Sequence, residues 1–273
     1  MVAASAPRDN AEERVLRHLA DGVLTLTLND PRARNALSAA MMSSLQASLD
    51  AARDDPAVRV IVIAGSPPAF CAGHDLRELN SAHAQEDGGR AFLTALMNQC
   101  SALMQSVVNH PRPVIADVRG IATAAGCQLA ASCDIVIAAD DARFATPGVN
   151  IGLFCSTPMV ALSRKVSQNH AMEMLLTGEM ISAARAHEIG LVNRVHPAAE
   201  MDMAVVSLAR TIGGKSLMTL KTGKQAFYRQ VDLPLAEAYA YTADVMIGNM
   251  LKPDAREGVA AFLEKRKPEW RDE

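Results

Sequence analysis

Two short segments rich in small residues each follow an apolar run. Residues 70–76 read FCAGHDL and follow the apolar residues 60–64. Residues 119–128 read RGIATAAGCQ and follow residues 114–118, which are apolar except for Asp117. Small side chains let backbone N–H groups approach the oxygen of a ligand. Two such donors stabilise the charge that develops on a carbonyl oxygen, and losing one costs about 100- to 1000-fold in rate. The pair predicts two halves of a site for one carbonyl oxygen.

Strands must precede both segments if the segments are to lie side by side. In residues 23–28, Leu24, Leu26 and Leu28 alternate with Val23, Thr25 and Thr27, a two-residue period that is typical of a strand with one buried face. Residues 60–64 and 135–139 are continuously apolar, and residues 114–118 are apolar except for Asp117, as in strands that are covered on both faces. The first half of the chain is therefore expected to contain several strands that are buried on both faces.

Helices are predicted between these strands. Ser38 is placed to cap a helix whose apolar residues recur at helical spacing, and a wide apolar stripe predicts a second helix over residues 92–107. The polar residues 80–87 and the glycines after them predict a mobile loop rather than a domain boundary. Alternating strands and helices predict the α/β fold class.

The second half of the chain shows mainly helical patterns. From about residue 157 onward only residues 191–195 have the pattern of a strand. Asp254 and Glu257 have the spacing of a capping box, which predicts the start of the last helix. We therefore expect an α/β core followed by a helical C-terminal region.

Composition narrows the class of partner. The chain has 273 residues, 49% hydrophobic and 21% charged, with a formal net charge of −3, which suits one or two globular domains. No run of like charges indicates a nucleic-acid surface, and no apolar stretch is long enough to span a bilayer. Because the N-terminal segment lacks the apolar part of a secretory signal, we predict a cytoplasmic protein without nucleic-acid or membrane partners.

The five cysteines show neither a disulfide framework nor a metal site. Their number is odd and no Cys-x-x-Cys spacing occurs, so we expect reduced thiols and no bound metal. Cys71, Cys127 and Cys155 lie near the candidate site, where packing is favoured over a chemical role.

Several motifs in a fixed order carry a family resemblance. They read PRARNAL at 31–37, FCAGHD at 70–75, PVIA at 113–116, GC at 126–127, CDI at 133–135 and EKR at 264–266. Over residues 23–270 the chain resembles the crotonase superfamily, the enoyl-CoA hydratase/isomerase group, and within it the enoyl-CoA hydratase domain-containing proteins. The resemblance implies a crotonase-like spiral of ββα repeats and a coenzyme A thioester as ligand. It also implies a homotrimer or dimer of trimers.

The resemblance also implies a division of the chain. Residues 1–20 would be an N-terminal extension, residues 21–200 the spiral core with the acyl-CoA site, and residues 201–273 a helical oligomerisation region. The two carbonyl donors would be the backbone N–H groups of His74 and Ala125.

Five residues are expected at the coenzyme. Arg32, Arg34 and Arg77 carry cationic donors suited to phosphate oxygens, and Lys265 would act from a neighbouring subunit. By resemblance Ala72 belongs to the same site. No tightly bound cofactor is expected, because coenzyme A enters as part of the substrate.

Two departures from the family pattern bear on the reaction. By similarity, hydratases place glutamates at the positions held here by Gln128 and Gly148. A glutamine amide orients water but does not accept a proton near neutral pH, and glycine has no side chain. General acid–base groups are worth about 100- to 10,000-fold each, so ordinary hydration should be largely lost. Restoring both glutamates is expected to recover some of it.

Several side chains keep two interpretations open. The His74 imidazole either takes part in the chemistry or orders the loop in which it lies. Asp75 either caps a short helix or is catalytic. Gln128 either positions water or ligand, or packs in a helix. Further candidates for the acyl pocket are Thr146, Asn150, Cys155 and Ser156.

Three functions fit these patterns. The first is an enzyme of the lyase or isomerase type that acts on a fatty or other acyl-CoA through the two backbone donors. The second is a catalytically silent acyl-CoA-binding or regulatory homologue. The third is a serine hydrolase, which the absence of a Gly-x-Ser-x-Gly motif disfavours.

Overall fold

The computed structural model describes residues 13–273, and its strands form two sheets. The strands are β1 (Val15–Ala20), β2 (Val23–Leu28), β3 (Val60–Gly65), β4 (Ala69–Cys71), β5 (Val114–Val118), β6 (Ile121–Thr123), β7 (Ile135–Ala139), β8 (Arg143–Ala145), β9 (Ile181–Ser182) and β10 (Arg194–His196). One sheet has the order β1-β2-β3-β5-β7-β10, and the other has the order β4-β6-β8-β9. All pairings are parallel except β1 with β2 and β8 with β9.

Successive pairs of strands wind through both sheets. Strands β3, β5 and β7 lie in the six-stranded sheet, and each is followed directly by a short strand, β4, β6 or β8, of the four-stranded sheet. One or two helices connect each pair of strands to the next pair. This arrangement confirms the predicted spiral of ββα repeats. The short strands have only three residues each, too few for a recognisable two-residue period.

The helices surround the sheets and fill the second half of the chain. They are α1 (Ala39–Arg53), α2 (Leu76–Ala82), α3 (Arg90–Val108), α4 (Ala125–Ser132), α5 (Pro158–Leu162), α6 (Gln168–Thr177), α7 (Ala183–Glu188), α8 (Met201–Gly213), α9 (Leu217–Gln230), α10 (Leu235–Met250) and α11 (Pro253–Leu263). The Ser38 hydroxyl accepts the N–H of Met41 at 3.1 Å, which confirms the predicted cap of α1. Among the described residues, no helix is long and apolar enough to cross a membrane.

The continuous apolar strands are buried on both faces, as predicted. On one face Ile61 and Ile63 of β3 join the main core with helices α1, α3 and α4. On the other face Val60 and Val62 pack with Val205 of α8 and its neighbours. Alternate residues of one strand therefore belong to two separate cores, which explains why the run has no polar position.

The first sheet begins earlier than the predicted core. Strand β1 pairs antiparallel with β2 from Val15 to Ala20, inside the range assigned to an N-terminal extension. The sequence did not predict this strand, because only Val15 is buried and the other five residues are exposed, so no alternation of buried and exposed side chains marks it. Residues 1–12 of that range lie outside the described residues.

Three local predictions are corrected. The strand predicted at 191–195 is Arg194–His196, because Leu191 and Val192 instead close α7 with N–H bonds to the Ala186 carbonyl. The loop predicted at 80–87 begins within α2, which continues to residue 82. Asp254 does not cap α11, since Lys252 holds that position and the Asp254 carboxylate accepts N–H groups of the C-terminal tail.

Candidate active site

The two segments predicted to form one site lie side by side. Strand β4, in the first segment, pairs with β6 in the second, with Cys71 opposite Ala122. The Thr123 hydroxyl donates to the Ala72 carbonyl at 3.0 Å. Gly126 packs so closely against the Cys71 carbonyl that a side chain there would collide with it. The glycine is therefore needed for close approach of the two backbones.

Both segments turn sharply where they meet. Gly73 has φ +97°, and a Cβ on it would lie 2.9 Å from the Cβ of Ala124. Ala124 has φ 50° and ψ −119°, a sparsely populated conformation for a residue with a side chain. Its N–H donates to the Ala145 carbonyl at 2.9 Å, which ties this strained turn to strand β8. Such strain persists only where the surrounding structure fixes it, and it is concentrated at functional sites.

Two backbone donors stand at this junction. A Cβ on Gly73, the residue before His74, would lie 3.4 Å from the nitrogen of Ala125, the first residue of α4. Within residues 13–273, no group accepts a hydrogen bond from the N–H of His74 or of Ala125. The positive end of the α4 dipole also lies at Ala125. The pair of free donors suits an oxygen that carries negative charge.

The His74 side chain braces the loop that carries its own N–H. Its Nδ1 lies 3.1 Å from the Leu37 carbonyl, and the Leu37 N–H donates to the Gly73 carbonyl at 2.7 Å. A carbonyl only accepts, so Nδ1 carries the proton. Nε2 is buried without a partner among the described residues. Burial lowers the pKa of His74, only partly offset by the bond to Leu37, so the ring is neutral at pH 7. This geometry favours the loop-ordering interpretation.

Asp75 acts as a helix cap. Its carboxylate accepts the N–H of Arg77 at 2.8 Å at the start of α2. That bond confirms the capping interpretation and places Arg77 in the first turn of the helix, directly after the His74 loop.

Neither Gln128 nor Gly148 supplies a group that could replace the missing glutamate. Gln128 is 5% exposed on α4, and its amide oxygen lies 3.9 Å from the Cys100 sulfur. Gly148 lies in a 3₁₀ turn, where a Cβ would stand 2.6 Å from the Leu153 carbonyl oxygen and 2.9 Å from the Cys155 sulfur. The loop after Gly148 therefore occupies the space that a glutamate would need.

The candidates for the acyl pocket differ in exposure. Thr146 is fully buried, and its hydroxyl has no partner among the described residues, whereas Asn150 and Ser156 are exposed. Burial raises the pKa of Cys155, although the Gly148 N–H bond to its sulfur opposes the shift. Burial also raises the pKa of Cys71 and of Cys127 to about 12. These thiols stay protonated at neutral pH, as expected for packing roles.

Four of the five expected coenzyme residues lie close to the junction. The Ala72 N–H donates to the Arg34 carbonyl at 3.0 Å, so the turn that carries Arg32 and Arg34 runs beside the His74 loop. Arg32, Arg34 and Arg77 are exposed, and none forms an ion pair within the described part of the chain. Lys265 follows α11, which packs on α9 and α10, away from this cluster.

Comparison with known families matches almost the whole chain. The family described as enoyl-CoA hydratase/isomerase covers residues 18–273. The chain belongs to the enoyl-CoA hydratase/isomerase family. Membership confirms the resemblance drawn from the motifs and agrees with the ββα spiral.

Relatives of this enoyl-CoA hydratase/isomerase family member include human enoyl-CoA hydratase domain-containing protein 3, mitochondrial. It is 47% identical over 253 residues, which are 93% of this chain and 82% of the relative. A probable enoyl-CoA hydratase of Rhizobium meliloti (strain 1021) is 36% identical, over 90% of this chain and 93% of that protein. The name of the human relative places that protein in mitochondria, so the cytoplasmic location of this chain stays a prediction.

Solved structures share the fold over nearly the full length. The crystal structure of human enoyl coenzyme A hydratase domain-containing protein 3 has a TM-score of 0.90 and 46% identity, covering 94% of this chain and 100% of that chain. An enoyl-CoA hydratase of Mycobacterium smegmatis has a TM-score of 0.90 and 47% identity, covering 95% and 99%. The spiral core and C-terminal helices therefore have direct structural counterparts.

Proposed function

We propose that this family member binds a coenzyme A thioester and holds its carbonyl oxygen between the N–H groups of His74 and Ala125. The supporting observation is that Gly73, directly before His74, lies against the Ala125 nitrogen, and that neither N–H group has an acceptor in the described chain. Two fixed donors stabilise an enolate or a tetrahedral oxyanion more than the neutral carbonyl. The His74 ring keeps the first donor in place through Leu37.

Three arginines, which we call the basic cluster, are proposed to bind the coenzyme part of the ligand. Arg32, Arg34 and Arg77 would contact the phosphates, because guanidinium groups donate several hydrogen bonds to phosphate oxygens. Ala72 would line the same site, since its backbone already joins the Arg34 turn to the His74 loop. Lys265 would contribute from a second copy of the chain.

Assembly is supported by an apolar surface on the C-terminal helices. Large apolar side chains on α9, α10, α11 and their connecting loops are more than half exposed: Phe227, Val231, Leu235, Tyr239, Met246, Ile247, Met250, Leu251, Val259, Phe262 and Leu263. Exposed apolar surface of this extent marks an interaction site. We propose that it is covered in a homotrimer or dimer of trimers.

The reaction on an acyl-CoA would proceed without the two hydratase carboxylates. The backbone donors would activate a fatty or other acyl thioester, and no carboxylate stands at Gln128 or Gly148 to move a proton. One observation favours a second candidate, a silent acyl-CoA binder or regulatory protein. The Leu153 loop fills the space beside Gly148, so an acid–base group is excluded there.

Calorimetry on a matched pair of ligands tests the proposed site. Crotonyl-CoA has the carbonyl oxygen, and the S-butyl thioether of coenzyme A lacks it. Two net hydrogen bonds of about 1 kcal/mol each predict about 30-fold tighter binding of the thioester. Equal affinities would contradict the carbonyl site, and no binding of either ligand would contradict the coenzyme site.

Enoyl absorbance on the same sample separates the two candidates. Loss of the conjugated thioester signal would identify turnover by a group other than the missing glutamates. Tight binding with a constant signal would favour the silent binder or an enzyme for another thioester reaction. A panel of acyl-CoA substrates then distinguishes these two.

A further inference from the structure

The C-terminal tail, residues 264–273, folds back along α11. The N–H groups of Arg271 and Asp272 donate to the two carboxylate oxygens of Asp254 at 2.8 and 3.0 Å. Asp254 is only 2% exposed although it lies in the first turn of α11. A buried carboxylate with two backbone donors is a strong local anchor. The far part of the tail is therefore fixed to the beginning of the same helix.

The same tail residue reaches the α/β core. The Asp272 carboxylate pairs with the Arg59 guanidinium at 2.8 Å and accepts the N–H of Leu217 at 2.6 Å. Arg59 lies directly before strand β3, and it also donates to the Gly213 and Lys215 carbonyls at 2.6 and 2.8 Å. Asp272 thus joins α11 to the core at the junction of α8 and α9. We call Arg59, Asp254 and Asp272 the tail clasp.

The near part of the tail is fixed as well. The Arg266 guanidinium pairs with the Glu257 carboxylate, with one contact at 2.9 Å, and the Glu269 N–H donates to Glu257 at 2.9 Å. Lys265 sits just before these contacts with φ 54°, so the chain reverses direction there. Its N–H bonds to the Phe262 carbonyl at 3.2 Å. The backbone of Lys265 is therefore held between α11 and an anchored segment.

We infer that the tail clasp positions Lys265 for the coenzyme of a neighbouring copy, with Arg59 and Asp272 as positioning residues that do not touch the ligand. This inference rests on the proposed function, which places Lys265 at a coenzyme phosphate. A lysine side chain has much rotamer freedom, and each immobilised side chain of this kind reduces affinity. Ordering a loop on binding also reduces affinity, and a backbone that is already fixed at Lys265 avoids this second cost.

A double-mutant cycle tests the coupling. Coenzyme A affinity is measured by calorimetry for the wild type, Asp272→Ala, Lys265→Ala and the double variant. Lys265→Ala is expected to weaken binding about tenfold through the lost charge-assisted bond. Asp272→Ala is expected to weaken it about fivefold. If the clasp acts through Lys265, the double variant binds as Lys265→Ala alone does.

The clasp contains its own reporter. Trp270 is the single tryptophan of the chain, its Nε1 donates to the Gly214 carbonyl at 2.8 Å, and its ring packs on Gly258. Release of the tail in Asp272→Ala should shift Trp270 emission to the red and increase acrylamide quenching. Glu273→Ala is the matched control and should change neither fluorescence nor affinity. If the alanine variant does not fold, Asp272→Asn replaces it in the cycle, because asparagine tolerates the left-handed φ of 63° at this position.

The outcomes distinguish failure of the tail clasp as a positioning device from failure of the phosphate assignment of Lys265. Additive effects of the two substitutions, or a released tail with unchanged affinity, overturn the positioning role while the phosphate assignment stands. No loss in Lys265→Ala overturns both. Sedimentation must give the wild-type mass for each variant, because an affinity loss that accompanies dissociation would show that Asp272 supports assembly instead.

Discussion

The carbonyl oxygen of Leu153 lies 2.6 Å from the point where a Cβ on Gly148 would stand. The Leu153 N–H in turn donates to the Gly148 carbonyl at 2.9 Å, so the loop is closed tightly on the glycine. Glycine at this position therefore does more than omit a carboxylate. It allows a loop conformation that a hydratase glutamate would prevent, which revises the expectation that two glutamates restore hydration.

Gly148→Ala is expected to destabilise the protein by about 1–3 kcal/mol, because overpacking forces the Leu153 loop to move. Urea denaturation measures the change. The control is Gly223→Ala in α9, where an added Cβ meets nothing within 4 Å and the helix should gain about 0.5–1 kcal/mol. The variant with Gln128→Glu and Gly148→Glu should hydrate crotonyl-CoA no faster than the wild type. An increase in that rate would show that the loop yields readily.

Arg32→Ala and Arg77→Ala should weaken coenzyme A binding, with losses that shrink as salt increases. Exposed guanidinium groups act on phosphates through charge, and ionic strength screens that attraction. Titrations at several salt concentrations measure the effect. Arg17→Ala removes an exposed charge from strand β1, remote from the basic cluster in sequence, and should leave affinity unchanged. Wild-type affinity in both test variants would remove the phosphate assignment.

His110 should make stability fall with acid. The ring is completely buried, with Nε2 3.0 Å from the Leu49 carbonyl, and burial lowers the pKa of His110 to about 4. Between pH 4 and 6.5 the unfolded chain therefore binds more protons than the folded protein, so unfolding becomes easier as the pH falls. This histidine contributes a loss of about 3 kcal/mol across that window.

Unfolding free energies of the wild type and His110→Gln, compared from pH 7 to 4, isolate this contribution. The variant should show a shallower decline below pH 6.5, while His83→Gln, which changes an exposed histidine, should follow the wild type. Parallel curves for the wild type and His110→Gln would mean that the buried ring is not the acid-sensitive group.

Lys224→Met should destabilise the folded chain by about 3–5 kcal/mol. The Lys224 ammonium group is nearly buried and pairs with the Asp134 carboxylate at 2.7 Å, which also accepts the Tyr228 hydroxyl. Removing one partner leaves a buried charge uncompensated. Lys221→Met changes an exposed lysine on the same helix and should shift stability by less than about 0.5 kcal/mol. Equal midpoints for the two variants in urea would exclude a stabilising role of the pair.

Long elements were predictable because their signals are local. The apolar strands at β3, β5 and β7 and the Ser38 cap appear in the structure as the sequence predicted them. Strand β1 was not predicted because only one of its residues is buried, so it has almost no apolar face. Strands β4, β6 and β8 are too short to show a two-residue period. Asp254 was misassigned because its spacing to Glu257 suits a cap, while its true partners lie 17 and 18 residues away.

By itself the sequence determined the α/β class, the motifs that carry the family resemblance and its implied spiral, and the two segments that hold the candidate donors. These properties depend on residue types at short spacing, where glycine and alanine permit backbone approach and apolar runs specify strands. The tertiary structure decided what those residues do. Only chain folding brings Leu37 to the His74 ring, the Leu153 loop to Gly148 and Asp272 to Arg59. Such contacts depend on where distant backbones meet, which no local pattern encodes.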